Sequence, residues 1–132
     1  MILYEHPLWI EDIDLIIKTL PELEQLAGSS VLITGASGLI CSAVVDVLFR
    51  YNDTHDQKIR ILVAGRSENR MRERFGIMVD RDDFSFINFD AARWENRIEQ
   101  HADYIIHGAG NAYPAKIIKE PVETMLSNFI GT

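Results

Sequence analysis

The sequence predicts an α/β protein with a doubly wound parallel sheet, and three observations carry that prediction. Short, nearly continuous apolar strands alternate with helical segments along the chain, as in a parallel sheet covered by helices on both faces. A glycine-containing turn joins the first strand to the next helix. Right-handed crossovers between successive strands then give the first four strands of an incomplete sheet, in the order 3-2-1-4.

The composition limits the class of protein. A chain of 132 residues fits one domain or part of one, since domains take about 100–200 residues. There are 13 basic and 20 acidic residues, so the net charge is −7, which disfavours nucleic acid as a partner. No apolar run approaches the ~18 residues of a membrane span. Because there is one cysteine and no secretory signal, we expect a cytoplasmic protein with no membrane partner.

Residues 1–28 are predicted to form an N-terminal helical extension. Apolar residues recur there at steps of three and four, which predicts an amphipathic helix over residues 8–20; they are Trp9, Ile10, Ile13, Ile16, Ile17 and Leu20. Pro21 suits the first turn of a second helix that Gly28 can end. We expect this extension to pack against the domain or against a neighbouring subunit.

The remaining elements follow from the apolar runs. Strands are predicted at residues 31–34, 59–64, 84–89 and 103–107. Helices are predicted after the first strand, over residues 67–75, and from residue 120 to the end, where Pro121 suits a first turn. The first of these helices has an apolar face formed by Leu39, Ala43, Val44, Val47 and Leu48. Whether residues 91–101 add another helix stays open.

The turn between the first strand and its helix has the features of a phosphate-binding loop. Gly35 can take the tight turn, and Gly38 lets the backbone approach a pyrophosphate because it has no side chain. The N–H groups of Leu39 and Ile40 then begin a helix, where the dipole favours a phosphate. Cys41 stands where a third glycine is usual, and it is small enough to pack there. A plain tight turn is the alternative.

Four stretches follow one another after residue 30. The first is Thr34–Ile40, which reads Thr-Gly-Ala-Ser-Gly-Leu-Ile, and the second is Asp90-Ala91, which follows the third strand. The third is Tyr104–Gly110, which gives the fourth strand and its turn, and the fourth is Pro121–Thr132, which contains Asn128. Over residues 31–132 the chain resembles the extended branch of the short-chain dehydrogenase/reductase superfamily. That branch has a Rossmann-type fold and contains the NAD(P)-dependent nucleotide-sugar epimerases, dehydratases and decarboxylases. The chain departs from the family's Thr-Gly-x-x-Gly-x-x-Gly turn at its last glycine.

The resemblance implies a role for each stretch. It places the pyrophosphate at the glycine turn, the adenine at the acidic pair, and the rest of the cofactor along the fourth-strand turn and the asparagine. The implied cofactor-binding residues are Gly35, Ser37, Gly38, Leu39, Ile40, Asp90, Ala91, Gly108, Ala109, Gly110 and Asn128. The implied reaction of the full enzyme is hydride transfer from a nucleotide-sugar hydroxyl, then epimerisation, dehydration or decarboxylation. Asn111–Pro121 most resembles the corresponding segment of UDP-glucuronate decarboxylases.

The end of the second strand slightly favours NADP over NAD. A carboxylate at this place bonds the ribose 2′-hydroxyl, whereas an arginine accepts a 2′-phosphate. The strand ends in Gly65 followed by Arg66 and Ser67, with no acidic residue before Glu68. Arg66 can pair with a phosphate through two donors; alternatively it is solvated or stacks on the adenine of NAD. The nearby Arg70, Arg72 and Arg74 are interpreted as a charged helix face.

No catalytic residue is predicted. The resemblance implies a catalytic tyrosine with a lysine four residues later, but the tyrosines at 4, 51, 104 and 113 are followed at that distance by Leu8, His55, Gly108 and Ile117. Tyr113 with Lys116 is one residue short. We therefore expect residues 29–132 to be a cofactor-binding half that stops before the catalytic half and is inactive by itself. Its fourth strand would be an exposed apolar edge, which predicts a homo-oligomer.

Two other functions remain open. One is a non-catalytic dinucleotide-binding sensor or interaction module, and the other is part of an NADP-dependent carbonyl reductase. The histidines show no metal-ligand spacing, so no metal is expected. His107, beside the fourth-strand turn, is interpreted as a packed, hydrogen-bonded residue.

Overall fold

The computed structural model describes residues 2–110 and 113–131. Its sheet has four parallel strands, β1 (Ser30–Thr34), β2 (Arg60–Gly65), β3 (Phe84–Asn88) and β4 (Tyr104–His107). Their spatial order is β3-β2-β1-β4, which confirms the predicted 3-2-1-4 arrangement and the Rossmann-like α/β fold. The helices are α1 (Pro7–Thr19), α2 (Leu39–Thr54), α3 (Glu68–Phe75), α4 (Pro114–Lys119) and α5 (Pro121–Phe129).

The two central strands form the core because helices or loops cover both their faces. Every residue of β1 is buried, and Ile33 lies in register with Val63 on one side and Ile106 on the other. One core cluster lies between the sheet and α2, where the rings of Phe49, Phe75 and Phe84 pack together. A continuous apolar strand is therefore the correct sequence signature for this sheet.

The buried side of α2 differs from the predicted apolar face. The helix turns Cys41, Val45 and Phe49 into the core, whereas Leu39 and Ile40 are 91% and 77% exposed. Of the predicted face only Leu48 is buried. The apolar arc of α2 is wider than one face, so its pattern alone does not select the side that meets the sheet.

The structure also settles one open segment and differs from the sequence prediction in two others. Residues 91–101, left open by the sequence, form turns and irregular chain and no helix; the Asp90 carboxylate accepts the Ala92 N–H at 3.1 Å, a local bond that competes with helix formation. Pro21–Leu26 forms a 3₁₀ helix in place of an α-helix. The short helix α4 was not predicted.

The N-terminal extension is hydrogen-bonded to one side of α2. The Trp9 indole donates to Asp46 at 2.8 Å, Arg50 donates to Asp14 through two nitrogens, and Tyr4 donates to Asp53 at 2.6 Å. The α2 partners at positions 46, 50 and 53 follow the three- to four-residue helical repeat. This contact surface fixes α1 beside the helix that begins at the glycine turn.

Strand β4 is the exposed edge of the sheet. Its residue Ile105 is 66% exposed, and it pairs with β1 on its other side. Among the described residues, no helix is both long and apolar enough to cross a membrane.

Candidate functional site

A cleft of about 790 Å³ lies where the carboxyl ends of the four strands meet. This is the edge of an open parallel sheet at which α/β proteins bind ligands. Ten of the predicted cofactor-binding residues line it: Gly35, Ser37, Gly38, Arg66, Ser67, Asp90, Ala91, Gly108, Ala109 and Gly110. The side chains of Leu39 and Ile40 line a separate apolar groove with α1, and Asn128 is not among the residues that line the cleft.

The glycine turn brings backbone rather than side chains to the floor of the cleft. Gly35 has φ +67°, and a Cβ there would lie 2.5 Å from the Gly108 carbonyl oxygen, so only glycine fits. A Cβ on Gly38 would lie 3.1 Å from the Gly35 oxygen. Helix α2 begins at the next residue, and the N–H groups of Leu39 and Ile40 have no acceptor within the helix. These donors and the helix dipole can hold an anion.

Cys41 and Gly108 fit together behind this turn. Cys41 is 9% exposed, and a Cβ on Gly108 would lie only 2.2 Å from its Sγ. The thiol therefore takes space that a larger residue at position 108 would need. Burial raises the pKa of the Cys41 thiol, so the group stays protonated near neutral pH, in agreement with its interpretation as a packing residue.

Thr34 and His107 join the glycine turn to the β4 turn and to α5. The Thr34 hydroxyl accepts the N–H groups of Gly108 and Ala109, each at 3.1 Å, and it lies 2.9 Å from His107 Nδ1. Since its two acceptor positions are used, its proton points to Nδ1. His107 Nε2 then donates to the Ser127 carbonyl at 3.2 Å. His107 is thus the packed, hydrogen-bonded residue that the sequence predicted.

Arg66 and Ser67 lie at the turn between β2 and α3, at one end of the cleft. Ser67 caps α3 by accepting the Arg70 N–H at 3.4 Å. Arg66 is half exposed and pairs with Glu123 of α5 at 3.5 Å.

Sequence reasoning missed that Arg70 also lines the cleft. Arg72 and Arg74 instead pair with Asp80 and Asp46 away from it. The available signal was that Arg70 lies in the first turn of α3, three residues after the N-cap Ser67.

The opposite wall comes from the loop after β3 and from α5. Asp90 and Ala91 line the cleft, and a Cβ on Gly131 would lie 2.7 Å from that of Ala91, so the end of α5 packs closely against this loop. Asn128 lies beside Gly110, with its Oδ1 3.4 Å from where a Cβ on that glycine would stand. Asn111 and Ala112, which begin the segment Asn111–Pro121, and Thr132, which ends the stretch Pro121–Thr132, lie outside the described residues.

Tyr113 and Lys116 also line the cleft, although the sequence did not assign them to it. Tyr113 is the N-cap of α4, and Lys116 lies in the first turn of that helix. With them the described lining has three basic side chains, Arg66, Arg70 and Lys116, against Asp90 and Glu123. A chain of net charge −7 therefore presents a slight excess of positive charge here, which suits an anionic ligand. No group of three or more metal-ligating side chains occurs in the described part of the chain.

Comparison with known proteins gives one family and one fold. The sequence model of the NAD dependent epimerase/dehydratase family matches residues 31–132. No match was found among curated proteins. The X-ray structure of Pen from Bacillus thuringiensis is similar, with a TM-score of 0.60 and 23% identity over 80% of this chain. At that identity the likeness shows the fold alone, and the match spans 32% of the length of the Pen chain.

Proposed function

Because the chain belongs to the NAD-dependent epimerase/dehydratase family, we propose that it is the cofactor-binding portion of an enzyme that acts on a nucleotide sugar. The observation that carries this proposal is the glycine turn at the cleft floor. There a side chain at Gly35 would collide with the Gly108 backbone, and the first N–H groups of α2 are free of helical acceptors. The family implies that the cleft binds NAD(P).

The residues around the cleft suit the successive parts of such a dinucleotide. The turn from Gly35 to Gly38, with the N–H groups that begin α2, suits the pyrophosphate. Asp90 and Ala91 suit the adenine, and Gly108–Gly110 with Asn128 suit the nicotinamide end. When bound, the nicotinamide supplies the hydride acceptor or donor. The protein binds and orients it.

We propose NADP as the slightly preferred cofactor. Arg66, Ser67 and Arg70 all line the same end of the cleft, and an arginine is the residue that accommodates a ribose 2′-phosphate. The strand β2 ends at Gly65, and the first acidic residue after it is Glu68, which does not line the cleft. The three side chains carry groups that can donate to a phosphate, and they lie at or just after the end of β2, where NAD-specific sites usually carry a carboxylate.

We further propose that these 132 residues do not catalyse the family reaction by themselves. They contain no tyrosine with a lysine four residues later, and Tyr113 and Lys116, though both in the cleft, are three residues apart. A non-catalytic dinucleotide-binding sensor is the second candidate, since the absence of this tyrosine–lysine pair fits it equally well. The two differ in whether the nucleotide sugar is recognised at all.

Titration with NADPH and NADH tests the cofactor site. We expect both to bind, and we expect Gly38→Val to abolish binding because its side chain would occupy the approach to the pyrophosphate. Ala43→Val is the matched control, since Ala43 lies on the same helix but lines the apolar groove outside the cleft. Absence of binding to the unaltered chain, or unchanged binding by Gly38→Val, would refute the cofactor site.

Absorbance at 340 nm tests the catalytic proposal. With NADP⁺ and UDP-glucuronate the absorbance should stay constant, because the chain lacks the tyrosine–lysine pair. A steady rise that Gly38→Val removes would show that the chain is active after all. If UDP-glucuronate without cofactor raises the Tm of the chain, the chain binds the nucleotide sugar, and that result would favour the enzyme over the sensor.

We also propose that the chain self-associates through β4. Its edge is unpaired among the described residues, and Ile105 is 66% exposed on it; such an edge pairs readily with another strand. Ile105→Lys should shift the sedimentation coefficient towards that of the monomer. A monomer in the unaltered chain at high concentration would refute this proposal.

A further inference from the structure

One ion pair spans the cleft between the two walls described above. Arg66 comes from the turn between β2 and α3, and Glu123 comes from the first turn of α5, 57 positions later. Their Nη1 and Oε1 atoms lie 3.5 Å apart, and both residues line the cleft. The other ion pairs that involve lining residues of the described chain, Asp90 with Arg93 and Lys116 with Glu120, are local in sequence.

The pair can open without disturbing the core. Arg66 and Glu123 are 52% and 41% exposed in their side chains, and neither belongs to the buried clusters. The Glu123 carboxylate is also favoured by its place at the N-terminal end of α5, where the helix dipole attracts negative charge. It therefore keeps a favourable position when Arg66 turns away.

We propose that Glu123 determines the preference of this site between NADP and NAD by competing with the 2′-phosphate for Arg66. The inference rests on the proposed cofactor site. A phosphate monoester carries about −1.5 to −2 charges near neutral pH, so it and the carboxylate repel each other when both approach one guanidinium. NAD has a neutral hydroxyl at this position and leaves the ion pair in place. Glu123 thus weakens binding of NADP and has little effect on NAD.

The test compares the dissociation constants of NADPH and NADH for two single variants. Glu123→Gln should bind NADPH about two- to fivefold more tightly, the range typical of one exposed ion pair, with NADH changed less than about 1.5-fold. Glu68→Gln is the matched control. Glu68 lies in the first turn of α3 and forms an exposed pair with Arg72 at 3.7 Å, so this variant loses the same charge near the cleft without freeing Arg66.

A double variant shows whether Glu123 acts through Arg66. Glu123→Gln changes the logarithm of the dissociation constant for NADPH by some amount in the unaltered chain. In an Arg66→Gln background the same substitution should change it by less than half of that amount. An unchanged NADPH/NADH ratio in Glu123→Gln, or an equal change in Glu68→Gln, overturns the role of Glu123 while the cofactor site stands. If the unaltered chain binds neither cofactor, the proposed function fails and this inference fails with it.

Discussion

Substitution of Gly108 by alanine probes the fit between the glycine turn and the β4 turn. The φ angle of Gly108 lies outside the left-handed region, so alanine is allowed by the backbone. Its Cβ would nevertheless stand 2.2 Å from Cys41 Sγ and 3.1 Å from the Thr34 carbonyl oxygen, whereas unbonded heavy atoms prefer about 3.5–4.0 Å. Either the thiol rotates away or the β4 turn moves.

The size of the effect follows from the cost of overpacking. Adding a methyl group to a well-packed site costs about 1–3 kcal/mol, and in a chain of this length 1 kcal/mol lowers Tm by about 3–5 °C. Gly108→Ala should therefore lower Tm by about 3–15 °C. Cys41→Ala removes Sγ, and the two Cβ atoms would then be 3.8 Å apart, an ordinary contact. The double variant should therefore regain most of the stability that Gly108→Ala loses. The coupling free energy between the two substitutions should be about 1–3 kcal/mol.

Urea unfolding of the single variants, the double variant and the unaltered chain measures this coupling. Gly110→Ala is the control in the same turn, since its Cβ would have 3.4 Å to the nearest atom, Asn128 Oδ1. NADPH affinity gives a second measurement, because Gly108 lines the cleft. If Gly108→Ala is as stable as the control, or if Cys41→Ala does not rescue it, Cys41 and Gly108 are not packed as described.

Three further outcomes are expected. Trp9→Phe removes a donor to the fully buried Asp46, so it should cost about 1–3 kcal/mol and speed proteolysis of residues 1–28; unaltered proteolysis would mean that this bond does not hold the extension. Hydrogen bonds from the Ser30 N–H and hydroxyl lower the pKa of Asp103 to about 2. Its stabilising effect is therefore full above the ordinary aspartate pKa of about 4 and is lost as pH falls through 2. Unfolding free energy should thus decline more steeply between pH 4 and pH 2 than in Asp103→Asn, and parallel curves would contradict this. Gly35→Ala should lose at least about 2 kcal/mol, since it forces alanine to a positive φ and a 2.5 Å contact; a urea midpoint equal to that of the unaltered chain would contradict the turn geometry.

The sheet was predictable because its determinants are local. Each strand is a short apolar run between turn residues, and the handedness of crossovers then fixes the strand order with few alternatives. The glycine turn was predictable for the same reason, since Gly35 and Gly38 are adjacent in sequence to the strand and helix that they join. Each strand and the glycine turn therefore depend on residues that are neighbours along the chain.

The α2 face and the 91–101 segment were not predictable from pattern. The apolar arc of α2 is divided between the sheet, α1 and an apolar groove, and the sequence period does not say which neighbour takes which side. In residues 91–101 the bonds from Ala92 N–H to the Asp90 carboxylate and from Asn96 Nδ2 to the Asp90 carbonyl select turns over a helix.

The fold class, the glycine turn and ten of the residues that line the cleft follow from the sequence pattern alone. Which charged side chains join them depends on how the elements pack: Arg70 enters the cleft while Arg72 and Arg74 pair away from it, and Glu123 reaches Arg66 across it. The same packing places Cys41 against Gly108, 67 positions away in the chain. The two kinds of feature differ because the backbone pattern is set by neighbours along the chain. The direction and partner of a side chain are set by how whole helices and strands pack.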